Sequence, residues 1–183
     1  MLPFPDGFRC QEIANGEAIL HVRLGGTGPA IVMLHGFGGT GDMWAPLAAE
    51  LCGDHTVIAP DLRGMGLSSH PSGGYDKRTQ ATDIACVLDS FDIRRIDLVT
   101  HDIGNMVGYA FAALYPERVT RFIASTPVGV PAHEMRLRCR REFMDAHALA
   151  ALYGRVAISI DLGHSAFARH KRCQCHRDRH ESE

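Results

Sequence analysis

Asp102 lies where a carboxylate could act as a nucleophile. It separates a strand-like apolar stretch, residues 96–100, from a helix-like stretch, residues 104–115. A strand that turns sharply into a helix can hold one side chain exposed at the turn, and the crowded backbone there requires small residues two positions to either side. Thr100 and Gly104 occupy those two positions. The sequence therefore predicts a carboxylate held out at a tight strand-to-helix turn.

The backbone that follows Asp102 is suited to stabilise negative charge. Free N–H groups at the start of a helix attract anions, and the N–H of Ile103 can point at an oxyanion that develops during a reaction. The simpler alternative is that Asp102 only caps the helix, because aspartate is a common residue at that position. The nucleophile interpretation requires a side chain that faces outward.

The elements that must position this turn alternate along the chain. Short apolar stretches predict strands, and apolar residues at helical spacing predict helices, the first of them with Asp42 as its N-cap. Alternating strands and helices predict an α/β protein whose mostly parallel sheet carries helices on both faces. The predicted strands are 17–24, 30–34, 55–60, 96–100 and 119–125, and the predicted helices are 43–51, 76–91 and 104–115.

Three segments, in this order, carry a family resemblance. HGFGG (35–39) follows a buried strand, DLRGMGLSS (61–69) follows the next strand, and His101-Asp102-Ile103-Gly104 forms the turn. Together they resemble the α/β-hydrolase fold, and most nearly its epoxide hydrolase and haloalkane dehalogenase branch, over roughly residues 8–127. The resemblance implies Asp102 as nucleophile. It also implies a pair of oxyanion donors and a set of supporting loop residues: the N–H groups of Phe37 and Ile103, and His35, Gly36, His101 and Gly104.

The resemblance also implies a reaction. In this branch the aspartate attacks an alkyl carbon, opens an epoxide or expels a halide, and forms an ester that a histidine-activated water hydrolyses. The expected substrate is a small molecule, an epoxide, haloalkane or ester-like compound, with no cofactor and no metal. Ile103 favours the epoxide hydrolases, because haloalkane dehalogenases favour tryptophan there and fluoroacetate dehalogenases arginine. Three positions depart from the branch, since Gly38 replaces a proline and Thr100 and Asn105 replace glycines.

Four other residues have simpler structural interpretations. His35 and His101 are expected to pack and form hydrogen bonds around the loop rather than to carry protons. Arg63 is expected to bind carbonyl groups near its turn, and Trp44 to lie in the core. None of these is needed as a reacting group.

The chain changes character after Pro127. From Pro131 onward, ten Lys or Arg, six His and three Cys occur in 53 residues. We therefore divide the chain into a hydrolase core, 1–130, and an atypical tail, 131–183. A helix and a strand are expected within 146–160, and disorder beyond them, because so polar a segment cannot offset its ordering entropy.

The tail does not resemble the cap, later strands, acid and histidine of the family. The chain is therefore interpreted as a truncated hydrolase, and a shifted reading frame is one hypothesis, which translation of the neighbouring frames would test. Asp161 with His164 is a weak alternative source of an acid and a base. A zinc site is a second weak alternative, formed by Cys173, Cys175, His176 and His180.

The composition and charge of the chain limit which partners and which location are expected. The net charge of −2 gives no reason to expect nucleic acid or an anionic membrane as a partner. No export signal or membrane-length apolar run is seen, so a cytoplasmic location is expected. Self-association is possible through an unpaired sheet edge. A catalytically inactive remnant, or a binding protein that lacks the acid and histidine, is the alternative function.

Overall fold

The computed structural model describes residues 4–125 and 157–161. Their strands are β1 (Arg9–Asn15), β2 (Ala18–Gly26), β3 (Ala30–Leu34), β4 (Thr56–Pro60), β5 (Ile96–His101), β6 (Val119–Ser125) and β7 (Ala157–Asp161). Their α-helices are α1 (Ala45–Leu51), α2 (Lys77–Ser90) and α3 (Ile103–Leu114). The predicted boundary at residue 130 and all of the tail except residues 157–161 lie outside the described residues, and so do the proposed zinc ligands.

The strands form one sheet in the order β1-β2-β4-β3-β5-β6-β7. The central strands β4, β3, β5 and β6 are parallel to one another. At the two sides of the sheet, β1, β2 and β7 pair antiparallel with their neighbours. The predicted α/β fold with a parallel centre is confirmed. Parallel strands need crossovers, and α1, α2 and α3 provide them.

The helices pack on both faces, as predicted, and each face has its own core. On one face α2 and α3 cover β5, with Leu88, Leu98 and Phe111 fully buried. On the other face α1 covers β3 and β4, and Trp44 lies in this second core at 1% exposure. Because both faces of β3 and β4 are buried, the sequences of these two strands are almost continuously apolar. Trp44 is a core residue, as the sequence indicated.

The edge strand β1 was not predicted. Its sequence, RCQEIAN, alternates between exposed and half-buried positions and lacks an apolar run. A two-residue turn at Gly16 and Glu17 joins it to β2, and Gly16 adopts a φ of +60° that glycine accommodates without strain. The Asn15-Gly16 pair was the available signal for this hairpin.

The predicted N-cap at Asp42 is wrong. A short 3-10 helix, Gly41–Trp44, precedes α1, and Thr40 caps it by accepting a hydrogen bond from the Asp42 N–H. Asp42 instead forms an ion pair with Arg23 of β2. The buried arginine attracts the carboxylate away from the helix end, which is a tertiary contact that local sequence does not reveal.

Candidate active site

Asp102 has the backbone conformation of a sharp turn. Its φ is 51° and its ψ is −117°, and Asp92 is the one other non-glycine residue of the described part with a positive φ. Such a conformation costs a non-glycine residue roughly 1–3 kcal/mol and is maintained only by its surroundings. Asp102 is the N-cap residue of α3 by position, but its side chain makes no capping hydrogen bond. The carboxylate is therefore directed to another partner.

That partner is the loop after β3. The backbone N–H of Phe37 donates a hydrogen bond of 2.9 Å to Oδ2 of Asp102. Ile103 is the first residue of α3, so its N–H has no acceptor within the helix. The Phe37 ring is 79% exposed, so its side chain does not anchor the loop in the core. Of the two predicted oxyanion donors, the Phe37 N–H thus contacts the carboxylate directly, and Ile103 is its neighbour in sequence.

Two glycines allow this close approach. A Cβ added to Gly36 would lie 2.9 Å from the Cβ of Asp102 and 3.1 Å from its Oδ2. A Cβ added to Gly104 would lie 2.6 Å from the carbonyl oxygen of Leu34 and 2.8 Å from that of His35. Because neither approach leaves room for a methyl group, any larger residue would push the loop or α3 away from Asp102.

His35 connects the two loops that follow β3 and β4. It is fully buried; its Nε2 accepts a 2.8 Å hydrogen bond from the N–H of Leu62, and its Nδ1 lies 2.8 Å from the carbonyl oxygen of Gly36. An accepting Nε2 requires the proton on Nδ1, which therefore donates to Gly36. Burial lowers the pKa of His35 below its usual 6.5. The ring is accordingly a neutral structural bridge.

A buried carboxylate anchors the far end of the same loop. Asp61 is fully buried, and its Oδ1 accepts hydrogen bonds from the Gly41 N–H at 2.6 Å and from Arg23 Nη1 at 2.7 Å. Its Oδ2 accepts one from the Leu67 N–H at 2.8 Å. The sequence analysis missed Arg23, because the residues on either side of it in β2 are apolar. Asp61 thus holds Gly41, two residues after the HGFGG loop (35–39), against the 61–69 loop.

Arg63 was predicted to bind nearby carbonyl groups, and this is only partly correct. Its Nε and Nη2 donate to the two carboxylate oxygens of Asp83 at 2.8 and 2.6 Å, and Nη1 donates to the carbonyl oxygen of Gly73 at 3.3 Å. Both side chains of this ion pair are buried. The hydrogen-bonded Asp83 raises the pKa of Arg63. The pair ties the 61–69 loop to α2.

Thr100 and Asn105, two of the departures from the branch, are in contact with each other. Thr100 Oγ1 donates a 2.6 Å hydrogen bond to Asn105 Oδ1. His101 lies between Thr100 and Asp102 and is half-buried, and its Cδ2 is 2.9 Å from the position of a Cβ on Gly36. His101 therefore packs against the loop beside the carboxylate.

The tentative acid at Asp161 is misplaced for this site. β7 pairs antiparallel with β6, which sets Asp161 opposite Arg121, and Arg121 lies opposite Asp97 on β5. Asp102 is five residues further along β5, roughly 16 Å at about 3.3 Å per residue. Asp161 is thus at the other end of the sheet, and His164 is outside the described residues.

Metal and membrane features are absent from the described part of the chain. No group of three or more His, Cys, Asp or Glu there could hold a metal ion. No helix in residues 4–125 has the length and apolarity that a bilayer span requires.

Comparison with known proteins finds a family model and relatives that have the predicted type of fold. A family model described as the alpha/beta hydrolase fold matches residues 29–152, more than half of the chain. A fluoroacetate dehalogenase from a Burkholderia species is 35% identical over 119 residues, which are 62% of this chain and 39% of that protein. A soluble epoxide hydrolase from Corynebacterium sp. (strain C12) is 37% identical over 102 residues, which are 56% of this chain and 35% of that protein.

A solved structure shares the fold. The ligand-free epoxide hydrolase CorEH superposes with a TM-score of 0.62 at 32% identity, covering 63% of this chain and 41% of that one. The chain spans 35–39% of the length of the two curated relatives above. The match to the family model, residues 29–152, includes the turn at Asp102.

Proposed function

The chain belongs to the α/β-hydrolase fold family, and on that premise we propose that Asp102 is the nucleophile of an epoxide-hydrolase-like reaction. The observation that carries the proposal is the Asp102 carboxylate itself. It stands on a turn with φ 51° and ψ −117°, makes no capping bond, and has Oδ2 held at 2.9 Å by the Phe37 N–H. Named relatives that include an epoxide hydrolase and a dehalogenase support the assignment.

The first step uses the two carboxylate oxygens differently. Oδ1 attacks an epoxide carbon, a carbon–oxygen ester bond forms, and the ring carbon–oxygen bond breaks to leave an alkoxide that takes up a proton from solvent water. With an alkyl halide, the same attack expels the halide ion. Oδ2 stays on the Phe37 N–H and becomes the carbonyl oxygen of the ester. The same amide thus holds the reacting group before and after attack.

The second step is hydrolysis of this ester. Water adds to the ester carbon, and negative charge develops on Oδ2, where the N–H groups of Phe37 and Ile103 can receive it. The bond from this carbon to the alkyl oxygen then breaks, which restores the carboxylate and releases the diol, or the alcohol where a halide was expelled. A base must take a proton from the water. Within residues 4–125, His35 is committed to Leu62 and Gly36 and cannot serve. The contacts of Asp102 in the described part of the chain support formation of the ester, a step that needs no base because the carboxylate is ionised at neutral pH.

The need for a base in the second step defines the second candidate function. A chain that lacks a positioned acid and histidine would be a non-catalytic relative of the hydrolases or a binding protein. The observation that favours it is the placement of Asp161 at the far end of the sheet, opposite Arg121. The two candidates differ in whether Asp102 reacts with an alkylating substrate.

Intact-mass spectrometry with styrene oxide tests the proposal. The wild-type chain is expected to gain one epoxide mass, or to release the diol if hydrolysis is complete, and Asp102→Asn is expected to do neither. Because exposed Cys10 can also react, the adduct is treated with hydroxylamine, which cleaves esters but leaves thioethers intact.

Two results would overturn the proposal. One is a folded wild-type chain that gives neither a hydroxylamine-sensitive adduct nor diol. The other is an Asp102→Asn variant that reacts as fast as the wild type. Either result leaves the non-catalytic function.

A further inference from the structure

The two ends of the Asp102 turn are joined by side chains as well as by backbone. Thr100 precedes the turn on β5, Asn105 follows it on α3, and the hydrogen bond from Thr100 Oγ1 to Asn105 Oδ1 is 2.6 Å. The backbone N–H of Asn105 also donates to the carbonyl oxygen of Asp102 at 2.9 Å. Asn105 therefore holds the turn at two points, and Asp102 lies within the bridged segment.

The Thr100 side chain is fixed for this contact. Thr100 is fully buried, and Gly108 of α3 comes so close that a Cβ on it would lie 2.8 Å from Thr100 Cγ2. The methyl group is thus confined against α3. The alternative acceptor, the carbonyl oxygen of Ile123, is 3.4 Å away. A hydroxyl has one proton to donate, and the shorter distance assigns that proton to Asn105.

The strained turn at Asp102 must be held in place by contacts on both sides of it. The φ of 51° at Asp102 is strained, so the residue would relax if its neighbours allowed it. Relaxation would rotate the carboxylate away from the Phe37 N–H. We propose that Thr100 and Asn105 form a hydrogen-bonded clamp that fixes the direction of the Asp102 carboxylate, and that both are positioning residues for the nucleophile. The inference rests on the proposed function of Asp102.

The clamp does not touch a substrate that reacts at Oδ1, so its loss has a specific kinetic signature. With styrene oxide as the probe, Thr100→Val keeps the side-chain shape and removes the hydroxyl. The labelling rate constant at saturating epoxide should fall about tenfold, while the half-saturating concentration stays unchanged. Thr100→Ser, which keeps the hydroxyl, should retain most of the wild-type rate.

Two further variants separate the clamp from a general loss of stability. Thr82→Val on α2 removes a hydroxyl that donates to the carbonyl oxygen of Thr79 at 2.7 Å, which makes it a matched control. It should label at the wild-type rate. Asn105→Ala should slow labelling as Thr100→Val does, and the double variant should be no slower than either alone, because the two residues act as one unit.

Amide hydrogen exchange tests the clamp independently of labelling, for the case in which the wild type gives no ester or diol. That result would overturn the proposed function of Asp102, but the clamp would still be visible at the Phe37 and Asn105 amides. Faster exchange of both in Thr100→Val, and not in Thr82→Val, supports the clamp, whereas unchanged exchange overturns it. If the wild type does label, equal rate constants for Thr100→Val and the wild type overturn the clamp.

Discussion

The N–H of Phe37 and the carboxylate of Asp102, 65 positions apart in sequence, are joined by a hydrogen bond of 2.9 Å. The contact links the loop after β3 to the turn after β5, and these two strands are parallel neighbours in the sheet. The carboxyl ends of parallel strands lie at one edge of a sheet, where α/β proteins commonly bind their ligands. The donor and the proposed nucleophile are therefore brought together by strand order rather than by sequence proximity.

Gly36→Ala tests how closely the loop must approach Asp102. The added methyl group would lie 2.9 Å from the Asp102 Cβ, so the loop must move and the Phe37 N–H must leave Oδ2. We expect labelling by styrene oxide to slow by about tenfold or more. Gly53→Ala is the matched control, because nothing lies within 4 Å of its added Cβ. Equal labelling rates in the two variants would contradict the tight-approach model.

Asp102→Gly tests the strain at the turn. Glycine adopts a φ of 51° without steric cost, so Asp102→Gly should have a free energy of unfolding about 1 kcal/mol higher than that of Asp102→Ala, which equally lacks the carboxylate, and labelling should be abolished in both. Urea unfolding measures the first effect and intact mass the second.

Asp92→Gly provides the comparison, since exposed Asp92 has a φ of 54°. It should label at the wild-type rate. A free energy of unfolding for Asp102→Gly that is no higher than that of Asp102→Ala would show that the backbone at this turn is not strained.

The pH dependence of stability should carry a contribution from His35. Its folded-state pKa is lowered by burial below the ordinary 6.5, so between those two values the unfolded chain binds a proton that the folded chain does not. Stability from His35 is therefore complete above about pH 6.5 and is lost as the pH falls toward the folded value. Protonation would also remove the acceptor for the Leu62 N–H.

Urea unfolding at several pH values measures this contribution. His35→Gln keeps an acceptor but cannot titrate, and its stability should decline less steeply below pH 6.5. His70→Gln, at an exposed position, should decline as the wild type does. Parallel curves for the wild type and His35→Gln would contradict the assignment of His35 as a neutral bridge.

Asp83→Ala should be among the most destabilising substitutions on α2. It would leave the buried Arg63 guanidinium without its two-point carboxylate partner, at a cost of about 3–5 kcal/mol. Asp89→Ala on the same helix removes an ion pair with Arg118, in which the Asp89 side chain is 69% exposed. This substitution should lower the free energy of unfolding by less than about 1 kcal/mol. Denaturant unfolding of both variants measures the difference, and similar losses would contradict the role assigned to Asp83.

The sequence predicted the elements that depend on local pattern. The buried strand β3 was located correctly because a continuous apolar run is typical of the centre of a parallel sheet. The strand β1 was missed because an exposed edge strand needs few apolar residues. The antiparallel pairing of β7 was not predicted, because direction in a sheet depends on the path of the chain.

The site was predictable as a set of residue types but not as a set of contacts. The place of Asp102 at a strand-to-helix turn follows from its neighbours in sequence. The partner of Arg63 did not follow, because Asp83 lies 20 residues away on α2. The bond between Thr100 and Asn105 was hidden for a different reason: each looked like a loose substitute for glycine, and only the packing of α3 on β5 brings them together.

The most direct test of the account is to locate the styrene oxide adduct by tandem mass spectrometry of proteolytic peptides. The account predicts an ester on Asp102 in the wild type, within the peptide that contains His101 and Ile103, and no modification of that peptide in Asp102→Asn. An unmodified Asp102 in a folded chain that neither forms the ester nor releases diol, or an ester confined to other carboxylates, would contradict it.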